Sequence, residues 1–166
     1  MNAAHPDFKI ADFRLAMREF ASGVAIVTCA NESERAGCTV TALTSFSLEP
    51  PSLVVCLERS SSTLAALRQA GAFGVNILAA EHGALASRFA GRDGVEGEAR
   101  FEEGDWFPLK TGAPALVDAL SSLDCRVEEI LERHTHAIII GAVQGVRVGD
   151  ERSGLLHWRS RFETLD

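Results

Sequence analysis

The chain has 166 residues and a mass of 17.8 kDa, a length that fits one domain. Hydrophobic residues make up 46% and charged residues 23%, which is typical of a folded globular protein and excludes a largely disordered one. The net charge of −7 comes without any run of basic residues, so the sequence offers no electrostatic surface for nucleic acid or for an anionic membrane.

Neither export nor a metal site is indicated. No apolar run approaches the roughly 20 residues needed to span a bilayer, and the N-terminus has no cationic stretch followed by an apolar core, so we expect a cytoplasmic protein. The four cysteines form no C-x-x-C pair and no cysteine–histidine spacing suited to zinc. They are interpreted as structural thiols, and no metal or disulfide is expected.

The first predicted elements are a helix and a hairpin. Residues 1–11 are interpreted as an N-terminal extension, after which Asp12 is expected to cap an amphipathic helix. This helix carries Phe13 and Phe20 on the face laid against the core, and the following Ser-Gly pair ends it. The apolar strand "VAIVTCA" then turns through "NESERAG" into a second strand over residues 38–48.

The second strand, within "TVTALTSFSLEPPSLVVCL", carries an unusual number of hydroxyls. With a period of two, one face holds Thr39, Thr41, Ser45 and Ser47, together with Leu43. Threonine and serine are common on a solvated sheet face, so the pattern alone fits either a solvent face or a binding face. The Glu-Pro-Pro sequence then ends the strand.

The middle of the chain is predicted to alternate strands with short helices. "SLVVCLE" and "AFGVNIL" are strands, "RSSSTLAALRQAG" is a helix with a serine cap and a glycine stop, and "AAEHGALASRFAG" is a helix that ends at Gly91. Residues 92–112 are charged and glycine-rich without a clear period. We expect a long surface loop there.

Hydroxyls at the start of the first of these helices suggest an anion site. Ser61, Ser62 and Thr63 offer side-chain hydroxyls beside the free amides of a helix N-terminus, and Arg59 and Arg88 could add positive charge. A plain helix cap explains the same residues. With the hydroxyl-rich strand taken into account, the two interpretations stay equally open.

The last third of the chain is predicted to form two long strands, residues 122–134 and 136–148, and a short one around residues 155–162. About six or seven strands and three helices result, without the strand–helix alternation that a parallel sheet requires. The sequence therefore predicts a mainly β protein, an antiparallel barrel with peripheral helices.

The sequence contains no G-x-G-x-x-G after a strand, no Walker A loop, no H-E-x-x-H and no G-x-S-x-G.

Five segments follow one another in order between residues 13 and 162: "FASGVAIVT", "TVTALTSFSLEPPSLVVCL", "RSSSTLAALRQAGAFGVNIL", "SRFAG" and "HAIIIGAVQGV". Together they resemble the flavin reductase-like family of FMN-binding split barrels. The resemblance implies one split-barrel domain over residues 1–166, assembled as a homodimer that completes each flavin site. It also implies an NAD(P)H-dependent flavin reductase, which passes hydride from NADH or NADPH to FMN or FAD and supplies reduced flavin to a separate monooxygenase.

Two other functions are compatible with the same barrel, because a fold does not determine an activity. One is a non-catalytic flavin-binding or flavin-carrier protein, and the other is a flavin-dependent ferric reductase.

The resemblance also implies which residues meet the flavin. Those along the ring and the ribityl chain are Thr41, Ala42, Leu43, Thr44 and Ser45. Those at the ring edge are Cys56 and Leu57. Those at the ribityl-phosphate region are Ser61, Ser62 and Thr63, and those at the phosphate or adenine side are Ser87, Arg88 and Phe89.

His136 is implied to position the nicotinamide, because it matches the histidine of the family's "G-D-H-x-I-x-x-G" segment. His134 and Thr135 stand where that segment has glycine and aspartate. No acid–base group is required, since the hydride chemistry belongs to the cofactors. The C-terminal "LLHWRSRF" resembles the family's "L-L-Y-x-R-G-R-Y", and it leaves open the roles of Trp158, Arg159 and Arg161.

Overall fold

The computed structural model describes residues 8–31 and 34–166. Within these ranges the α-helices are α1 (Ile10–Arg18), α2 (Ser62–Ala70) and α3 (Gly83–Phe89), with short 3-10 helices at Ala80–His82 and Gly97–Glu102. The strands of the first half are β1 (Ser22–Gly23), β2 (Ala25–Ala30), β3 (Arg35–Val40), β4 (Leu43–Leu48), β5 (Pro51–Glu58) and β6 (Ala72–Ile77). Those of the second half are β7 (Trp106–Pro108), β8 (Pro114–Leu116), β9 (Ser121–Arg133), β10 (His136–Val148), β11 (Gly154–Trp158) and β12 (Arg161–Leu165).

Seven strands form one antiparallel sheet in the order β3-β2-β6-β9-β10-β5-β4. The strands β3 and β4 lie at opposite edges of this sheet, although only Thr41 and Ala42 separate them in the chain. Because the chain from the end of β3 to the start of β4 can span only about 10 Å, the two edges must meet. The Cys56 amide in β5 donates to the Ala42 carbonyl at this junction, at 3.0 Å. The expected antiparallel split barrel with peripheral helices is confirmed.

Two apolar clusters fix the elements around the barrel. The first fills the barrel beneath α2 and includes Val27, Val55, Leu67, Phe73 and Ile139. The second packs α3 and the 3-10 helix Gly97–Glu102 against neighbouring strands, and its aromatic members are Phe89 and Phe101, with Trp106 and Phe162 at its border. Val40, a member of the first cluster, is the last residue of β3, so this cluster reaches the junction of β3 and β4.

The helix α2 follows the local signals of the sequence closely. The Ser61 side chain accepts the Leu64 amide at 3.1 Å, which is the predicted N-terminal cap. Gly71 ends the helix with φ +63°, the left-handed conformation that glycine adopts without steric cost. The cap and the stop are both confirmed.

The helix α1 differs from the prediction. It begins at Ile10 with Lys9 at the N-cap and no side-chain cap, so Asp12 lies inside the helix. None of its residues is buried, and Phe13 and Phe20 are 55% and 68% exposed. The expectation that α1 lies on the core is wrong, because an amphipathic period shows that one face is apolar but not what covers it. Most of the expected extension, residues 1–11, lies outside the described residues.

Three further differences between the predicted and the observed elements come from short or broken elements. The strand predicted over residues 38–48 is two strands, because the chain crosses between the sheet edges at Thr41–Ala42. The expected surface loop contains the 3-10 helix and β7, with Phe101 only 4% exposed. The short C-terminal strand is a hairpin of β11 and β12, and β1 pairs with β11.

No helix in the described part of the chain is long and apolar enough to cross a membrane.

Candidate active site

A cavity of about 500 Å³ opens where the two edges of the barrel meet, within the usual size range of small-molecule sites. Its walls are the end of β3, the Thr41–Ala42 link, the end of β5 and the start of α2. Nine of the residues implicated by the sequence line it together: Thr41, Ala42, Cys56, Leu57, Ser61, Ser62, Thr63, Phe89 and His136. These residues are spread over almost a hundred positions of sequence, and the barrel closure brings them to one place.

The Thr41–Ala42 link forms a thin wall of the cavity. The Thr41 side chain is exposed, and the methyl group of Ala42 leaves the backbone accessible. The neighbouring hydroxyl of Thr39 is already used, since it donates to the Ala86 carbonyl at 2.7 Å and so fixes α3 against β3. A flat ligand can therefore approach the backbone closely at the link itself.

The start of α2 has features that suit an anion. Amides in the first turn of a helix have no acceptor within the helix, and the helix dipole adds partial positive charge there. The Ser61 hydroxyl is occupied as the cap, whereas Ser62 is exposed in the cavity. The Ser62 hydroxyl and the first-turn amides fit the oxygens of a phosphate.

Arg100 adds a full positive charge to the same cavity, and the sequence did not indicate it. Its Nε donates to the Val95 carbonyl at 3.0 Å and its Nη1 to the Gly37 carbonyl at 2.9 Å, which hold the guanidinium in place. Within the described ranges it has no carboxylate partner at ion-pair distance. A held arginine without an anionic partner is well suited to a phosphate.

Arg88 supports Arg100 and does not itself line the cavity. Its Nη2 donates to the Ala99 carbonyl at 2.7 Å and its Nε to the Arg100 carbonyl at 3.2 Å. Its side chain is only 14% exposed, with Asp93 and Glu103 at 3.7 Å. The structure therefore places Arg88 behind the cavity wall, where it holds the backbone that carries Arg100.

Four other residues implicated by the sequence lie elsewhere. Leu43, Thr44 and Ser45 line a separate apolar groove, because β4 continues along the far edge of the sheet after the crossing at Thr41–Ala42. Ser87 lies on α3 outside the cavity lining, and its carbonyl accepts the Arg92 amide at 3.1 Å.

Arg59 does not supply charge to this cavity either. It forms an ion pair with Glu132 at 2.9 Å, and its Nη1 donates to the His134 carbonyl at 3.2 Å. These contacts hold it at the β9–β10 turn, outside the cavity lining.

Cys38, which lines the cavity, and Cys29 are not activated thiols. Burial raises the pKa of Cys38 above its ordinary value, against the opposing effects of a hydrogen bond with Thr63 and the charge of Arg100. Burial likewise raises the pKa of Cys29 to about 12, with the nearby Cys38 thiol adding to the shift. Both remain protonated at neutral pH, so neither is a nucleophile.

His136 begins β10 at the rim of the cavity, opposite Glu58 of β5. Its Nδ1 lies 2.9 Å from the Thr135 hydroxyl, so Thr135 contacts the imidazole from the position where aspartate is usual in the similar segment. His134 has φ +52°, a conformation that favours glycine and explains why glycine suits this position. The imidazole is exposed and held by one side-chain contact, which fits positioning of a ligand.

Several lining residues carried no sequence signal of their own. They are Cys38, Val40, Glu58, Ala90 and Arg100. Only Arg100 among them offers charge that a phosphate would need, and its segment has no periodic pattern from which its position could be deduced.

Comparison with known proteins identifies the family to which this chain belongs. The family model described as "Flavin reductase like domain" matches residues 17–166. The protein "FMN reductase (NADH) RutF 1" of Methylorubrum extorquens strain PA1 is 42% identical over 167 residues, which cover 99% of this chain and 80% of that protein.

Three solved structures share the fold over nearly all of this chain. The flavin reductase PheA2 has a TM-score of 0.86 at 28% identity, with 96% of this chain and 99% of that chain covered. BorF, the flavin reductase component of a bacterial two-component tryptophan halogenase, has a TM-score of 0.87 at 29% identity, with 95% and 98% covered. The styrene monooxygenase flavin reductase of Pseudomonas putida S12 has a TM-score of 0.82 at 28% identity, with 93% and 97% covered. Since the family model matches most of its length, this chain belongs to the flavin reductase like domain family.

Proposed function

We propose that this chain is an NADH-dependent flavin reductase that reduces FMN and releases it to a separate oxygenase. The observation that carries the proposal is one cavity that combines an anion site, at α2 and Arg100, with a thin wall at Thr41–Ala42. Such a cavity has a charged end for the phosphate and a flat, accessible end for the ring. The name of the 42% identical relative, an FMN reductase that uses NADH, supports the preference for FMN and NADH.

The residues divide into two groups by what they would hold. Ser62, the first-turn amides of α2 and Arg100 would bind the phosphate, with Arg88 as the residue that positions Arg100. Thr41, Ala42, Cys56 and Leu57 would flank the ring. Leu43, Thr44, Ser45 and Ser87 are left out of this proposal because they lie outside the cavity.

The protein's contribution to the reaction is binding and orientation. When bound, flavin supplies the atom that accepts hydride from the nicotinamide, so the chain needs no nucleophile or acid–base pair of its own. Its residues have to hold both rings in contact and keep water from between them. The protonated thiols of Cys38 and Cys29 are not nucleophiles, which agrees with a protein that only binds and orients the cofactors.

Anaerobic stopped-flow mixing with NADH tests the proposed activity. We expect the purified protein to bind FMN in an absorbance titration and the flavin absorbance to bleach when NADH is added. Turnover should require free FMN as the second substrate. Binding without bleaching would identify a flavin carrier, and turnover that requires a ferric complex in place of free flavin would identify a ferric reductase.

Replacement of His136 by alanine is expected to lower kcat/KM for NADH by about three- to tenfold, because an exposed imidazole positions the nicotinamide without taking part in bond breaking. The Kd for FMN should stay within a factor of two, since His136 is assigned to the nicotinamide and not to the phosphate of FMN. Thr135→Ala, which removes only the contact to Nδ1, should give a smaller loss. Unaltered flavin reduction by the His136 variant over a range of NADH concentrations would remove His136 from the nicotinamide pocket.

The assembly and the partner complete the proposal. An exposed apolar groove along β4 and β10 includes Leu48 and Val146, which are 83% and 61% exposed, and a second copy of the chain would bury it in a homodimer. Light scattering that shows a fully active monomer would contradict this. The names of the similar structures support a separate oxygenase or halogenase as the acceptor of reduced flavin. A location in the cytoplasm stays a prediction.

A further inference from the structure

The turn between β9 and β10 leads directly into His136 and has a backbone conformation that needs support. It consists of His134 and Thr135, the two residues between the strands. His134 has φ +52°, in the left-handed region that residues with a Cβ rarely adopt. Such a conformation persists where the surrounding structure holds it in place. The contacts that hold this turn therefore determine where the imidazole of His136 stands at the rim of the cavity.

Arg59, in the link between β5 and α2, makes three contacts with this turn and the strand before it. Its backbone amide donates to the Thr135 carbonyl at 2.9 Å, and its Nη1 donates to the His134 carbonyl at 3.2 Å. Its Nη2 pairs with Glu132, the next-to-last residue of β9, at 2.9 Å. A single residue thus grips the turn through its backbone and through both ends of its guanidinium.

The same link also leads into the start of α2, which suits an anion. Only residues 59–61 separate β5 from α2, and the Ser61 amide donates to the Glu58 carbonyl at 3.1 Å, which closes a tight turn around Arg59. Ser61 then caps the helix by accepting the Leu64 amide. Arg59 therefore joins the region that the proposed function assigns to the flavin phosphate with the region that it assigns to the nicotinamide.

We infer that Arg59 is a positioning residue for hydride transfer, which holds the His136 imidazole at a set place relative to the start of α2. It does not line the cavity, and its charge is paired with Glu132, so it acts through the turn and not as a ligand for an anion. The planar guanidinium suits this role because it can reach Glu132 and the His134 carbonyl at the same time. The inference rests on the proposed function, since it assigns the residue that orients His136 in the same reaction.

Replacement of Arg59 by methionine tests the inference, because methionine removes the guanidinium contacts and keeps an unbranched side chain. We expect kcat/KM for NADH to fall by about two- to fivefold, less than in His136→Ala, since the imidazole is still present but no longer held in place. The Kd for FMN should stay within about a factor of two, because Arg59 lies outside the cavity lining. Arg59→Lys keeps the charge for Glu132 but has no planar fork, and it should fall between the parent and Arg59→Met.

A double variant shows whether Arg59 acts through the imidazole. When His136 is already alanine, Arg59→Met has no imidazole left to displace, so it should lower kcat/KM for NADH by no more than about 1.5-fold further. A further loss as large as the one in the parent background would show that Arg59 acts independently of His136, and this result would overturn the inference.

Arg68→Met is the matched control for the loss of charge. Arg68 also pairs with Glu132, and its side chain is 43% exposed against 51% for Arg59. It lies on α2, outside the cavity lining, and within the described ranges it has no hydrogen bond to the backbone of the β9–β10 turn. The control should keep kcat/KM for NADH within about 1.5-fold of the parent. An equal loss in Arg59→Met and Arg68→Met would assign the effect to Glu132 or to charge, and would contradict a role in holding the turn.

Histidine NMR separates this inference from the proposed reaction, because it needs neither flavin nor coenzyme. In protein labelled with ¹³C at histidine, the ring resonance of His136 is the one absent from His136→Ala. We expect this resonance to shift in Arg59→Met and to stay in place in Arg68→Met. An unshifted resonance in Arg59→Met would overturn the inference even if the parent reduced FMN. A shifted resonance in a protein whose parent reduces no flavin would support the hold of Arg59 on His136 and reject only the proposed function.

Discussion

Replacing Arg100 by glutamine is expected to weaken FMN binding by about 10- to 50-fold, because it removes one charge-assisted hydrogen-bonding group at a half-buried site. Arg100 is held by the carbonyls of Gly37 and Val95 and has no carboxylate partner within the described residues, so its charge is available to the ligand. Glutamine has no charge to offer. The Kd for FMN from a fluorescence titration measures the effect.

Riboflavin identifies the part of FMN that Arg100 contacts. It has the ring and the ribityl chain but no phosphate, so its Kd should change less than about threefold in Arg100→Gln. Arg100→Lys keeps the charge but loses the planar fork, and it should fall between the parent and the glutamine variant. Equal weakening of FMN and riboflavin would show that Arg100 acts only by holding the cavity wall.

Arg88 provides a further comparison because it touches the same wall from behind. Its guanidinium donates to the carbonyls of Ala99 and Arg100, so Arg88→Gln should loosen this segment. We expect a lower melting temperature together with weaker FMN binding. Arg100→Gln, by contrast, should change the affinity for FMN more than the stability, as expected of a residue that meets the ligand.

The parts of this site that could be predicted from the sequence are those set by local signals. Ser61 and Gly71 bound α2 because a serine hydroxyl and a left-handed glycine act on their immediate neighbours. The two long strands β9 and β10 could be predicted because each has a residue pattern that extends over thirteen positions. The cap and the stop of α2 could therefore be predicted from residue order alone, whereas the anion site at its start stays a prediction.

The parts that could not be predicted depend on contacts between distant segments. The alternation of side chains with a period of two continues through Thr41 and Ala42, so the sequence gives no sign of the crossing there. The crossing between the sheet edges is imposed by barrel closure and not by those two residues. The sequence pattern therefore puts Thr39 and Ser45 on one face, although only Thr39 lines the cavity. Arg100 was missed for a similar reason, since Arg88, twelve residues earlier, holds its backbone.

The glycine of the "HAIIIG" segment shows how the same barrel limits side-chain size. Gly141 lies on β10, and a Cβ built there would collide with the ring of Phe73, with Cε1 at 2.8 Å, and would lie 3.2 Å from the Cβ of Cys125. Phe73 and Cys125 are both fully buried in the first apolar cluster, so neither can move aside freely. The position therefore has room only for a hydrogen atom.

Gly141→Ala is accordingly expected to destabilise the fold by about 2–3 kcal/mol, the usual cost of overpacking a core, and to lower the melting temperature by roughly 5–10 °C. Gly145→Ala is the matched control on the same strand, because its Cβ would meet only the Cβ of Asp124 at 3.8 Å, an ordinary contact. That variant should stay within about 1 kcal/mol of the parent. Thermal unfolding at one protein concentration compares them, since assembly makes melting temperatures depend on concentration. Equal melting temperatures for the two variants would mean that β6 and β9 yield to the added methyl group, and that the barrel next to the active site is less tightly packed than its contacts indicate.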